Sequence, residues 1–514
     1  VEAPTGEEAA AYDRRAIEEL DVPEATLMEN AGRSAAQVLE RLFPRGDVVG
    51  LVGGGNNGGD ALVLLRTLAA WGRSVRAIFV SDRREDDPLL HGWPFPVRGD
   101  RELQGAPGAY DGALGDAPVL VDGILGTGIR GAPRERQAAA IKAVNRSGAR
   151  VLALDLPSGV DATTGSVPGE AVAADVTVAF GWPKLGSLLH PGRDRVGRLV
   201  AVEIGFPPPP EEAFRARVIT PAWAAAHRPA RPPETHKYAV GALTVVAGRS
   251  GMAGASLLAV RAALRSGVGL LRVASAPENR TILQGGAPEA IFVDADDPEA
   301  LGDGVEGGDA LVIGPGLGVD GKGEERLKRA LEARGGRPLL LDADALTLIG
   351  AGRGPDLEEL AARGPVLLTP HPGEMARLVP GKGDRIREDR LEVARELAAA
   401  TGCAVLLKGL PSLIADPEGG VRVDSVGTSD LATAGMGDLL SGVCGSFLAQ
   451  GVPPARAGAL GLFVSGRAAL RAGGGSGLLP SDVIQRLPGA VAERGPGESN
   501  LQLPFVSFDQ DRAR

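Results

Sequence analysis

The chain has 514 residues, more than one core commonly holds, so two or more domains are expected. Hydrophobic residues at 44% and charged residues at 23% give a soluble globular profile. Aromatics at 4%, a net charge of −10 and the lack of a long basic run argue against a nucleic-acid or anionic-membrane partner. No run of about 18 or more apolar residues occurs, and the acidic start from Val1 to Glu8 is no signal peptide, so a cytoplasmic protein is expected. Cys403 and Cys444 lie in apolar runs without Cys-x-x-Cys spacing, which reads as buried reduced thiols rather than a zinc site.

Short β-branched runs at 48–52, 77–80, 119–122, 151–155, 176–180 and 199–204 alternate with helical patterns at 59–71 and 134–147. Continuous apolar strands spaced by helices predict a parallel sheet covered on both faces. Pro207 to Pro210 then form four consecutive prolines, followed by Arg228-Pro229-Ala230-Arg231-Pro232-Pro233. Prolines lack an N–H donor and favour extended backbone, so this stretch reads as a connection between domains. Beyond it the strand runs return at 242–247, 270–274, 310–313, 338–341, 366–369 and 404–407, with helices at 253–266 and 384–400. The expected organisation is two α/β domains, 1–206 and 236–514, joined by a Pro-rich linker at 207–235.

Ligands in open α/β sheets bind at the carboxyl ends of strands, where the glycine clusters of this chain fall. In the first half, Gly53-Gly54-Gly55-Asn56-Asn57-Gly58-Gly59-Asp60 follows a strand and precedes a helix. The glycines fit a tight turn around a phosphate, and the helix N-terminus adds donors. The spacing is neither a dinucleotide fingerprint nor a P-loop. Asp122 ends another strand and leads into Gly126-Thr127-Gly128-Ile129-Arg130-Gly131; Asp155 ends a third and leads into Leu156-Pro157-Ser158-Gly159. Together these loops would set Asn57, Asp122 and Ser158 as oxygen ligands around one hard cation, monovalent or weakly held.

In the second half, His236-Lys237 precedes a strand. Gly314-Pro315-Gly316-Leu317-Gly318, Asp342-Ala343-Asp344, Thr369-Pro370-His371-Pro372-Gly373-Glu374 and Lys408-Gly409-Leu410-Pro411-Ser412 each follow a strand in turn. The last motif, Gly435-Met436-Gly437-Asp438, opens an apolar helical run. Two glycines let the backbone approach an anion, and the helix dipole favours negative charge there. A carboxylate at the mouth of such an anion hole suggests a base that deprotonates a hydroxyl while a phosphoryl group is held beside it. That is phosphoryl transfer from a nucleotide to an alcohol.

The second half resembles the ribokinase-like fold, and more narrowly the ADP- or ATP-dependent NAD(P)H-hydrate dehydratases, through His236-Lys237 and residues 251–269, 314–318, 369–374, 408–412 and 431–442. The first half resembles the NAD(P)H-hydrate epimerases through Met28-Glu29-Asn30-Ala31-Gly32 and residues 56–60, 122–131 and 155–159. The resemblance implies two three-layer α/β domains, a Rossmann-like one followed by a ribokinase-like one. It implies repair of reduced nicotinamide that has added water across its 5,6 double bond. The first domain would interconvert the R and S hydrates, and the second would dehydrate the S form with ADP, with Mg2+ accompanying the ADP or ATP. Asp438 would deprotonate the C6 hydroxyl, the amides of Gly435, Met436 and Gly437 would hold the phosphoryl group, and Lys408, Gly409, Leu410, Pro411 and Ser412 would contact the nucleotide. Ala255, Gly318, His371 and Asp438 would contact the hydrate. In the first domain Asn56, Asn57, Gly58, Gly59, Asp60, Gly126, Thr127, Gly128, Ile129, Arg130, Gly131, Ala132 and Asp155 map to substrate binding. Asn57, Asp122 and Ser158 map to potassium, and Asp155 is the candidate acid–base group. A homo-oligomer is expected.

The sequence departs from the family pattern at Met436, where Ser or Thr is usual, at Ser412 for Thr, at Tyr238 for Gly and at Ala61 for Gly. Two other readings stay open. One is a kinase of the same fold acting on a hydroxymethylpyrimidine or a sugar; the other is a first domain that serves only as a binding scaffold.

Overall fold

The computed structural model describes residues 1–83, 87–99, 103, 109–210, 212–493 and 505–507. The chain divides into two compact units, one of Val1–Arg217 together with a strand at Phe505–Ser507, the other beginning at Val218. This differs from the expected division in two ways. The 207–235 segment is not uniformly extended: Pro221–His227 is a helix whose cap is Thr220, and its partly buried Trp223 packs on the core of the second unit. Phe505–Ser507 does not join the second unit; it pairs antiparallel with a strand of the first. An edge strand offers free N–H and C=O groups to any extended segment that reaches it, wherever that segment lies in sequence.

In the first unit, β1 (Val48–Val52), β2 (Val75–Phe79), β3 (Val97–Arg98), β4 (Val119–Gly123), β5 (Arg150–Leu154), β6 (Val176–Phe180) and β7 (Arg198–Val202) are parallel and lie in the order β7-β6-β5-β4-β1-β2-β3. Alternate residues bury on opposite faces. Val48, Val52, Val121 and Leu152 pack with the helices Glu24–Leu42 and Asn56–Ala70, whereas Val49, Leu51, Leu120 and Val151 pack with Ala109–Leu114 and Glu135–Arg146. The Met28 to Gly32 motif is explained here as packing. A Cβ on Gly32 would stand 2.5 Å from the Cβ of Val63, and one on Gly59 would stand 2.7 Å from Met28. Small residues at these crossings let the two helices sit close enough to fix the start of Asn56–Ala70.

In the second unit, β8 (Ala242–Val246), β9 (Leu270–Ser275), β10 (Ile291–Asp294), β11 (Ala310–Ile313), β12 (Leu339–Leu341), β13 (Val366–Leu368) and β14 (Ala404–Leu407) run parallel, and β15 (Leu413–Ala415) and β16 (Val421–Val423) extend the sheet antiparallel. Their order is β10-β9-β8-β11-β12-β13-β14-β15-β16. One face of this sheet carries a large core made with the helices Ala253–Arg265, Met436–Ala449, Pro454–Ala472 and Pro480–Ala492. The Met436–Ala449 helix is seated by two glycines. A Cβ on Gly442 would meet the carbonyl oxygen of Ala259 at 2.0 Å, and one on Gly445 would meet Val312 at 2.4 Å. The expected helix at 384–400 is instead two, Gly383–Glu388 and Arg390–Thr401. Asp389 interrupts them because its carboxylate caps the second by accepting from the Glu392 amide. Among the described residues no helix is long and apolar enough to cross a membrane.

Candidate active sites in the two units

The first unit opens a cavity of about 820 Å³ over the carboxyl ends of its strands. The Asn56–Ala70 helix begins earlier than the expected 59–71, with Gly55 as its N-cap, so Asn56 to Asp60 form its first turns rather than the preceding loop. Asn56, Asn57, Gly58, Asp60, Gly126, Thr127, Gly128, Ile129, Arg130, Ala132 and Asp155 all line the cavity; Gly59 is turned into the helix crossing and Gly131 lies outside the lining. Asp155 stands just beyond β5 at φ 63, a left-handed conformation uncommon for a residue with a side chain.

Lys184, which the sequence did not suggest, is buried against Asp155. Its ammonium pairs with Asp155 Oδ1 and donates to the Phe180 carbonyl at 2.9 Å, while the Phe180 amide donates to Asp155 Oδ1 at 3.0 Å. Asp60 lines the same cavity without a hydrogen-bond partner among the described residues. Burial, and then the negative charges of Asp155 and Asp13, raise its carboxyl well above the usual range, against the pull of Lys184 and Arg83.

Asn57, Asp122 and Ser158 meet beside this cavity. Ser158 donates to Asp122 through its hydroxyl at 2.6 Å and its amide at 2.8 Å. Leu125 bridges to Asn57: its amide donates to Ser158 Oγ at 2.9 Å and its carbonyl accepts from Asn57 Nδ2 at 2.7 Å. Burial raises the Asp122 carboxyl to about 6, although the hydrogen bonds from Ser158 and Ile124 oppose it. Asn57 Oδ1 is buried without a partner. An orphaned acceptor next to a carboxylate and a hydroxyl fits a monovalent cation bound by oxygen.

In the second unit, Gly435 caps the Met436–Ala449 helix at φ 88, and Asp438 lies in its first turn. Met436 is buried in the core, and its backbone amide, expected to hold a phosphoryl group, instead donates to the Thr433 carbonyl at 3.2 Å. Lys408 directly follows β14 and reaches the same place. Its ammonium meets Asp342 Oδ1 at 2.7 Å and Glu374 Oε2 at 3.8 Å, and a Cβ on Gly437 would stand 3.4 Å from it. Asp342 is buried and also accepts from the Ser441 hydroxyl at 2.6 Å. Burial opposes a charge on Lys408, but Asp342 and Glu374 outweigh it and raise the ammonium's pKa.

Asp438 is only partly buried and has no hydrogen-bond partner among the described residues. Burial, then the carboxylates of Asp342 and Asp344, push it up to about 7 against the pull of Lys408. Gly318 donates its amide to Asp344 at 2.8 Å. Ala255 borders Gly316. His371 caps Pro372–Leu378 through Nδ1, and burial, then Lys408, lowers its pKa. Ser412 Oγ donates to the Gly409 carbonyl at 2.9 Å, Pro411 is buried behind the loop, and Arg390 donates to the carbonyls of Lys408 and, at 3.4 Å, of Leu410.

Residues 243–488 match the family model described as NAD(P)H-hydrate dehydratase, and residues 24–186 match the YjeF-related protein N-terminus. A bifunctional NAD(P)H-hydrate repair enzyme of Moorella thermoacetica is 36% identical over 94% of this chain and 95% of its own. The chain belongs to the bifunctional NAD(P)H-hydrate repair enzymes. The relative from Escherichia coli is 34% identical over 96% of this chain and 95% of its own. Among solved structures, an ADP/ATP-dependent NAD(P)H-hydrate dehydratase from Bacillus subtilis, co-crystallised with ATP and Mg2+, is 29% identical over 53% of this chain and 96% of its own, with a TM-score of 0.46.

For this repair enzyme the sequence reading missed Lys184 and the part played by Asp342. Lys184 sits in Gly181-Trp182-Pro183-Lys184, outside the strand-end motifs singled out in the sequence. Asp342 stood within a quoted motif, but only the fold brings it to Lys408, 66 residues away.

Proposed function

We propose that the chain restores hydrated NADH and NADPH, with the first unit interconverting the R and S hydrates and the second dehydrating the S form at the expense of ADP. The observation that carries the second half is Asp438. It is an unpaired carboxyl, poised near neutrality, next to a lysine and the glycine amides of a helix N-terminus.

Asp438 takes the proton of the C6 hydroxyl, and the hydroxyl oxygen attacks the terminal phosphorus of ADP, releasing AMP. Lys408 and the amides of Gly435 and Gly437 hold the charge on the migrating phosphoryl group. Hydroxide leaves poorly and phosphate leaves well, so the N1 lone pair expels phosphate to give a C6–N1 iminium. Loss of a C5 proton then restores the 5,6 double bond. Among the described residues no group of three His, Cys, Asp or Glu side chains marks a metal site, and Mg2+ enters this reading on the nucleotide phosphates. In the first unit, Asn57 Oδ1, Asp122 and Ser158 are the residues that would hold potassium, which would satisfy the orphaned acceptor and fix the first turn of Asn56–Ala70.

The test is direct. Purified chain is given ADP and a mixture of R and S hydrates, and the absorbance of reduced nicotinamide is followed. Recovery beyond the initial S fraction is expected, because the remainder must pass through the first unit. No recovery, together with formation of a stable phosphate ester from an alcohol, would instead identify a kinase.

A further inference from the structure

We infer that Lys184 is a positioning residue of the epimerising site: its buried ion pair with Asp155 leaves Asp60, in the same cavity, without a cation of its own, so that the two acids divide the acid and base roles. This rests on the reading of the first unit as an epimerase.

The geometry comes from three elements. Asp60 is fixed by the Asn56–Ala70 helix, Asp155 by the end of β5 in a left-handed conformation, and Lys184 by the segment after β6; all three side chains line one cavity. Lys184 is 5% exposed, and its only ionic partner among the described residues is Asp155. A buried ammonium that pairs with one carboxyl and leaves its neighbour unpaired makes two otherwise similar acids unequal. The charged groups facing Asp60 are Asp155, Lys184, Asp13 and Arg83. Arg83 is itself taken up by Asp87 at 2.8 Å and the Gly53 carbonyl at 2.9 Å, so Lys184 is the cation that discriminates between the acids.

The step balances as follows. Asp60 gives its proton to the C6 hydroxyl, the C6–O bond breaks, and the N1 lone pair forms the C6–N1 double bond as water departs. Asp155 takes a proton from a second water, whose oxygen bonds to C6 from the opposite face while the double-bond pair returns to N1. The proton on Asp155 returns to Asp60 through solvent. One water leaves, one enters, and only the configuration at C6 changes.

The test uses the full chain with the R hydrate, following its conversion to S across pH by chromatography without ADP. Lys184→Met is expected to lower kcat by about 100-fold or more with KM changed less than about threefold, and to move the rising limb of the pH profile to higher pH. Lys184→Arg, which keeps the charge, is expected to keep the wild-type profile. Asp60→Asn is expected to lose activity to a similar extent and to flatten the falling limb. Wild-type kcat and profile in Lys184→Met, or equal loss in both lysine variants with no movement of either limb, would overturn the inference. Absence of conversion by the wild type would instead overturn the epimerase reading.

Discussion

In the proposed reaction Asp438 is a residue placed at odds with stability for the sake of chemistry. Its carboxyl, ordinarily near 3.8, is pushed to about 7, so the folded state favours the protonated form. The sign follows from linkage: a folded-state pKa above the unfolded one stabilises the fold at low pH, and that contribution is lost as pH rises from about 4 to 7. The proposed reaction needs the carboxylate, so kcat/KM for dehydration is expected to rise through pH of about 7. Asp438→Asn is expected to lower dehydration by about 10²–10⁴-fold with substrate and nucleotide affinities little changed. The same variant is expected to raise the melting temperature at pH 8 and leave it unchanged at pH 4. A flat pH profile in the wild type, or unaltered turnover in the variant, would count against Asp438 as the base. This residue was legible in the sequence because a glycine pair and an acid at a helix start is a local pattern. Lys184 was not, since a buried lysine has no local signature and its partner lies 29 residues away.

At the scale of elements, the proposed anion hole depends on how the Met436–Ala449 helix begins. Gly435 holds φ 88, and a Cβ there would stand 2.6 Å from Leu258. Gly435→Ala is expected to destabilise the second unit by about 1–3 kcal/mol and to weaken ADP binding, checked by thermal unfolding and calorimetric titration. A second element-level contact is Arg334, fully buried after the helix Gly321–Ala333. Its guanidinium donates to the carbonyls of Arg337 at 2.6 Å, Leu360 at 2.9 Å and Pro365 at 2.9 Å. Arg334→Met keeps the volume but strands these acceptors, and a loss on the order of 3 kcal/mol is expected in denaturant unfolding. The strands of both sheets were legible as apolar runs because parallel strands bury both faces. The short strands β3, β10, β15 and β16 were not, since two to four residues of ordinary composition carry no period. The break at Asp389 was also missed, because a side chain that caps a helix looks the same as one within it.

For the whole molecule, each unit carries its own acids, lysine and strand ends, and the two constellations share no residue. Asp438→Asn in the full chain is therefore expected to retain R-to-S conversion, and Lys184→Met is expected to retain dehydration of pure S hydrate; independent sites add. Replacing potassium by a large organic cation is expected to slow epimerisation several-fold and leave dehydration unchanged, measured separately on the two hydrates. Composition, periodicity and the strand-end motifs settled that the chain is two α/β bodies and singled out the helix start near residue 438 as a candidate anion site, since burial on two sheet faces and a glycine-led helix start are written in adjacent residues. Only the tertiary structure decided that Lys184 neutralises Asp155, that Asp342 aims Lys408, and that the strand Phe505–Ser507 pairs with β7. Charge pairing and edge pairing act through space between segments remote in sequence, and no local pattern encodes which will meet.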